Sequence, residues 1–276
     1  MIKSGSILIL FNLLTTFSLA QSQLDKQFDY AKELYNKEHY YSAITEFKRL
    51  LFFSKGNEYN FESNYFIGES YKYGAKYSDA ILYFTKAELS ADTEEKIYRA
   101  KLQIIRTNIL RKTTSRAQKL IDSLESSNEL TKDEINYWRG WAFIFSDDWE
   151  NAVLSFSKID SCKELVNLCE QVQQEKYSVG FAKTISYIIP GAGQIYTGEY
   201  VSGLLSFGWN VLWGYLTINA FVESRIFDGI VVGSLLWMRF YRGNLQNAEQ
   251  FAIEKNILIS NKALLYLQNE YTGLKP

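Results

Sequence analysis

Between residues 24 and 177 apolar side chains recur at helical spacing. Ile44, Phe47, Leu50 and Leu51 fall at i, i+3, i+6 and i+7, and Ala80, Ile81, Phe84 and Ala87 form a similar face. Polar pairs stand before two such stretches. Ser78-Asp79 and Asp147-Asp148 are expected to cap helix starts, because short oxygen-bearing side chains accept from the unpaired N–H groups there. The pattern is itself periodic. Ala43, Ala80, Ala117 and Ala152 are spaced 37, 37 and 35 residues apart, and each precedes a large apolar residue by four: Phe47, Phe84, Ile121 and Phe156. Leu50, Ala87, Leu124 and Ile159 follow three residues later, and small residues stand twelve before three of the alanines: Ala31, Gly68 and Gly140. A small residue there lets two helices approach closely while the aromatic fills the gap behind. The prediction is an all-α fold in which helix pairs stack, since one pair cannot bury its own apolar face.

On these residues the segment resembles the tetratricopeptide repeat, a helix-turn-helix unit of 34 residues. The match is good over Phe28–Phe53, Phe61–Leu89 and Asn136–Ile159. It is weak over Lys96–Ser126, where Ile105 stands in place of the small residue, and the proline usual between repeats is absent. The resemblance implies a helical solenoid over residues 21–177, closed by a helix over Cys162–Tyr177. It also implies a surface on the first helix of each pair that takes a protein segment; Tyr35, Tyr71 and Tyr73 fall on these helices, where a tyrosine ring more often packs in the core than meets a ligand, and they are not nominated as sites.

The pattern then changes. Residues 184–222 carry one charged residue, Glu199, and ten of the chain's 16 glycines fall in 180–243. Val179–Ile189 is apolar but holds Lys183, which suits a helix lying in a bilayer interface with its lysine reaching water. Pro190 stops that helix, and Gly191 and Gly193 permit positive φ and close backbone approach. Gln194 and Tyr196 supply polar groups for the freed backbone. From Gly198 a ridge of small and polar residues recurs every fourth position: Gly198, Ser202, Ser206, Asn210 and Gly214. Small residues drive helix pairing in lipid, where apolar burial offers no gain. The expected partner is Gly229-Ile-Val-Val-Gly233, with Asn210 bonding across the pair. The second apolar run, Ile226–Tyr241, is about 24 Å long as a helix.

Pro190-Gly191-Ala-Gly193-Gln194-Ile-Tyr196-Thr-Gly198, with Gly203 five residues on, is similar to the PGxGQxYxG motif of small bacterial double-span membrane domains. The resemblance covers residues 181–242 and implies membrane association without implying any chemistry. The sequence-level architecture is therefore a signal peptide (1–20), helical repeats (21–177), a transmembrane helical hairpin (178–243) and a terminal amphipathic helix (244–276). The first 20 residues carry Lys3, an apolar core from Ile7 to Phe17, and Ser18-Leu-Ala20 before Gln21, the pattern of a cleaved export signal.

Composition narrows the functions. A net charge of −1 gives no electrostatic footprint for nucleic acid. Cys162 and Cys169, seven apart on one helix, would lie about 10 Å apart, beyond disulfide reach. His39 is the only histidine, so a triad or a histidine metal site has almost nothing to use, and no metal or other cofactor is expected. Gly191-Ala-Gly193 lacks the Gly-Lys-Ser/Thr that completes a phosphate loop. The expectation is a non-enzymatic scaffold of the bacterial envelope, membrane-anchored with its repeats in the periplasm and binding a protein partner. The alternatives are a structural stalk in a larger membrane complex, and a lipid-acting enzyme at Pro190–Tyr196.

Overall fold

The computed structural model describes residues 23–54, 56–126 and 131–276; the export signal read from residues 1–20 lies outside them. The described chain is all-α, with no strand. The described residues divide into two compact units, those up to Lys163 with 274–276, and residues 164–273.

In the first unit eight helices pack in a row. They are α1 (23–36), α2 (Tyr40–Phe53), α3 (Asn60–Tyr73), α4 (Tyr77–Leu89), α5 (Glu94–Leu110), α6 (Thr114–Ser126), α7 (Lys132–Phe145) and α8 (Trp149–Phe156). From α2 to α8 each touches the next, and α3, α5 and α7 also touch in order. The alanines at 31, 43, 80, 117 and 152 are fully buried, as are Phe47, Phe84, Ile121 and Phe156. The small/large fit is tight. A methyl group on Gly68 would sit 2.7 Å from the Phe84 ring, and one on Gly140 2.6 Å from Phe156. In the pair α5–α6 the medium side chains Ile105 and Ile121 are both fully buried, so the aberrant Ile105 is matched by the loss of the aromatic at 121.

A second periodicity lies in the backbone. Glu38, Ala75, Lys112 and Asp147 all have positive φ, between 54° and 64°, at the spacing of the buried alanines. The following residue in each case donates its N–H to the carbonyl five before it: His39 to Leu34, Lys76 to Tyr71, Thr113 to Asn108 and Asp148 to Phe143. This bond closes a helix end with one left-handed residue. The four turns are thus one structure built four times, none of them on glycine. Capping differs from expectation at one site. Asp148 caps α8 by accepting from Asn151 N–H, but Ser78-Asp79 lies inside the first turn of α4, whose capping position is Lys76. Asp147 instead bonds the Trp149 indole N–H.

The second unit holds α9 (Lys163–Glu175, entered from a 3-10 turn at Asp160–Cys162), α10 (Val179–Ile188), α11 (Ala192–Tyr196), α12 (Tyr200–Val222), α13 (Ile226–Val231) and α14 (Met238–Asn269). The compact units therefore part at 163/164, and α9 goes with the second. A π-helical turn, Val232–Trp237, joins α13 to α14. α12 returns through a turn at Ser224, which again has positive φ. The sequence reading ends a hairpin at 243 and begins a separate helix at 244; instead α14 runs unbroken through that junction. Gly243 has open space around it and no proline intervenes, so nothing stops the helix. α14 is the spine of the unit, in contact with α10, α11 and α12. Cys162 and Cys169 are each buried as free thiols, and burial pushes the Cys169 thiol up to about 12.

Candidate functional site

The glycine-rich turn is built by termination. Ile189, the residue before proline, leaves the helix with φ −124° and ψ 103°, as proline requires of its neighbour. Gly191 follows with φ +91°, and a methyl there would overlap the Gly203 carbonyl oxygen. Gly193 lets α11 touch two neighbours at once: a methyl would overlap the Ala182 carbonyl and come within 2.7 Å of Ala248 Cβ. Gly198, φ +82°, has open space beside it, so its requirement is conformational.

These close approaches bury polar groups, and one residue satisfies most of them. Asn244 on α14 is buried; its Oδ1 accepts from Gly191 N–H (2.7 Å), Gln194 Nε2 (3.1 Å) and Ser206 Oγ (2.9 Å). Its Nδ2 donates to the Ser186 carbonyl (3.1 Å), and its own carbonyl accepts from Gln194 Nε2 (3.1 Å). Ser186 Oγ accepts from Gly193 N–H (2.9 Å). Gln194 is fully buried and points inward to this hub rather than to a membrane surface. Sequence reasoning missed Asn244, which lies 50 residues from Gln194 in a stretch that reads as an ordinary amphipathic helix. Tyr196 sits apart, its ring edge-on to Tyr177 and Phe181 and its hydroxyl accepting from Ser178 N–H (3.2 Å).

Lys183 does not reach out to water alone: it pairs with Glu249 of α14 at 2.7 Å. Lys255 pairs with Glu199 at 2.8 Å, and Asn256 exchanges two hydrogen bonds with the Tyr177 backbone. The motif therefore staples α10, α11 and the start of α12 along α14.

On α12 the predicted ridge largely faces inward. Gly203, Asn210, Gly214, Thr217 and Ala220 are buried, and Ser202 and Ser206 are half-buried. Asn210 does not bond across the pair; its Nδ2 donates to the Ser206 carbonyl one turn back. Gly229 and Gly233 do face α12, where a methyl would meet the Phe221 ring and Thr217 Cγ2, each at 2.9 Å. Farther along, Trp209 and Trp213 of α12 stack with Phe240 of α14.

Large apolar side chains stand on the outer surface of α12 and of the return arm. Val201 is 74% exposed, Val222 77% and Phe227 78%, and Leu204, Leu205, Val211, Tyr215, Ile218, Ile226, Ile230 and Leu235 are exposed with them. Yet no helix among the described residues is long and apolar enough to cross a membrane. The transmembrane hairpin is not met in that form. α12 has 23 residues but dilutes its apolar content with Ser202, Ser206, Asn210, Thr217 and Asn219, and Asp228 and the π turn divide the return arm.

In the repeat unit the first helices share a polar face. Tyr35 donates to Glu69 (2.7 Å), Lys72 to Gln103 (3.2 Å), and Gln103 to the Tyr65 hydroxyl (3.1 Å). These bonds run from α1 to α3 and from α3 to α5. The Arg106 guanidinium lies over the Trp138 ring of α7, 5.4 Å from its centroid. Burial, with help from the Arg106 charge, brings Lys72 down to about 8, and burial also lowers Arg106. Tyr71 belongs to another surface, where it accepts from Lys48. Among the described residues no three His, Cys, Asp or Glu side chains cluster as for a metal.

No family model matches the chain, and no solved structure matches it. An uncharacterised protein of Methanocaldococcus jannaschii is 39% identical over 59 residues, which is 20% of this chain and 60% of that protein, so the likeness spans less than two thirds of the relative's length.

Proposed function

We propose that the protein is a membrane-tethered, non-enzymatic scaffold of the bacterial cell envelope. In this reading the helices of the first unit are a tetratricopeptide-like solenoid that recruits a protein partner. The α12–α14 hairpin holds the chain in lipid, and the segment 1–20 exports the repeats to the periplasm.

The observation that carries the tether is the inversion of α12. Its small and polar residues are inside, and its large apolar residues are outside. Water would penalise so many exposed apolar side chains on one element, since apolar patches on soluble monomers are usually small. Lipid has no such objection and favours small residues between helices. Because no single helix qualifies as a span, the hairpin enters lipid as a packed pair, with Glu223, Arg225 and Asp228 linked at its polar tip. The recruiting role draws support from the continuous polar face of α1, α3, α5 and α7.

Photolabelling with a lipid-soluble carbene precursor in native membranes tests the tether. Label is expected on exposed α12 positions such as Leu204 and Val211 and absent from α3 and α5. Equal labelling of both regions, or none on α12, would refute it.

A further inference from the structure

The first-helix face already carries a peptide. Residues 274–276 belong to the compact repeat unit rather than to the helix that precedes them. Arg106 Nη2 donates to the Lys275 carbonyl at 2.7 Å, and the Tyr137 hydroxyl donates to the Leu274 carbonyl. Both acceptors are main-chain atoms, so the contact reads backbone rather than particular side chains. The donors are set from beneath. Trp138 lies under the Arg106 guanidinium, and Arg106 Nε is buried with no hydrogen-bond partner. Lys72, bonded to Gln103, adds a second cation close enough to act on Arg106, with Glu69 as the opposing charge. Two cations against one carboxylate leave an excess of donors on a face that attracts carbonyl oxygens.

We propose that residues 274–276 are a built-in occupant of this face, held by Arg106 and Tyr137 through their main-chain carbonyls, and that an extended protein segment docks there only by displacing them. The inference rests on the reading that this face recruits a protein. Its consequence is an effective-concentration threshold. A tethered occupant competes at about millimolar strength, so a partner must outbind it with further contacts along α3 and α1. A ligand offering only the tail's own two carbonyls displaces it only when supplied in excess over that concentration.

The test is a distance measurement on the intact chain. Nitroxides are attached through Lys119→Cys, an exposed position on α6, and Pro276→Cys, with the buried native thiols left unlabelled. Pulsed dipolar spectroscopy is expected to give one narrow distance. Combining Arg106→Ala with Tyr137→Phe should broaden it, and so should an excess of unlabelled peptide of sequence Tyr-Thr-Gly-Leu-Lys-Pro. Circular dichroism of the double variant confirms that the helices remain. A broad distribution in the unmodified chain would overturn the occupancy, as would a narrow one indifferent to the two substitutions. A narrow distance that yields to the substitutions but never to peptide would overturn the displacement. The recruiting role fails separately: it fails if a chain ending at Gly273 crosslinks no protein in the envelope through a photoreactive group at Gln103.

Discussion

At the scale of single residues, the left-handed turns and the polar hub make the sharpest predictions. Ala75 holds φ 54° without being glycine, a conformation that costs an L-residue about 1–2 kcal/mol. Ala75→Gly is expected to raise repeat-unit stability by about 0.5–1 kcal/mol, after the extra chain entropy of glycine is offset. A higher thermal midpoint checks this. Asn244→Ala acts in the opposite sense, stranding Gly191 N–H and the Ser186 carbonyl and taking the partner of Ser206 Oγ, while Gln194 Nε2 keeps the main-chain carbonyl of residue 244. At about 1–3 kcal/mol for each unsatisfied group, it should lower the melting temperature in detergent far more than Asn247→Ala, at an exposed position on the same helix.

Lys72 supplies a pH dependence. Its folded pKa of about 8 lies below the ordinary 10.5. Between those values the unfolded chain holds the proton more tightly, so stability rises as pH climbs from about 8 toward 10.5, and the full cost of the buried charge stands below pH 8. Lys72→Met is therefore expected to stabilise at pH 7, by roughly 1–3 kcal/mol after allowance for partial solvent screening. NMR titration of the Lys72 side chain should give a midpoint near 8; a midpoint above 10 would contradict the burial.

At the scale of elements, legibility followed sequence locality. The four helix pairs could be read because their signal, Ala43 to Phe47 and its three copies, lies within one turn and recurs. Gly191 and Gly193 of the entry motif could be read as close approaches, and they are that. What they approach could not be read. Gly193 faces Ala248, and Gln194 faces Asn244. Such pairings between residues 50 or more apart leave no periodic trace. The continuity of α14 was missed for a related reason: the change from apolar to polar at 243 marks a change of surroundings, not a helix end. The Gly229 and Gly233 reading gains a specific test. Gly229→Leu would press on Phe221 and Gly233→Leu on Thr217, so both should loosen the hairpin more than Val231→Leu. Amide exchange in α12 measures this, and equal protection in all three variants would contradict a small-residue seam.

At the scale of the whole molecule, two features pull on orientation. Lys176, Lys183, Arg239 and Arg242 flank the hairpin on one side, against Arg225 at its tip. The positive-inside rule taken alone would keep the flanks in the cytoplasm. In the proposed arrangement an export signal at 1–20 would outweigh that bias, because long domains follow their signal whatever their loop charge. Alkaline phosphatase fused after Tyr177 and after Pro276 is expected to be active at both; activity at neither would place the repeats in the cytoplasm.

The central claim is that apolar surface around α12, rather than any one spanning helix, fixes this protein to a membrane. Alkaline carbonate extraction of membranes from cells expressing the full chain tests it most directly. The account predicts that the protein stays with the membrane pellet. It also predicts that replacing Leu204, Leu205, Val211 and Ile218 together by serine, which leaves the buried face of α12 intact, releases it. Full-length protein found in the carbonate supernatant, or retained unchanged after those four substitutions, would contradict it.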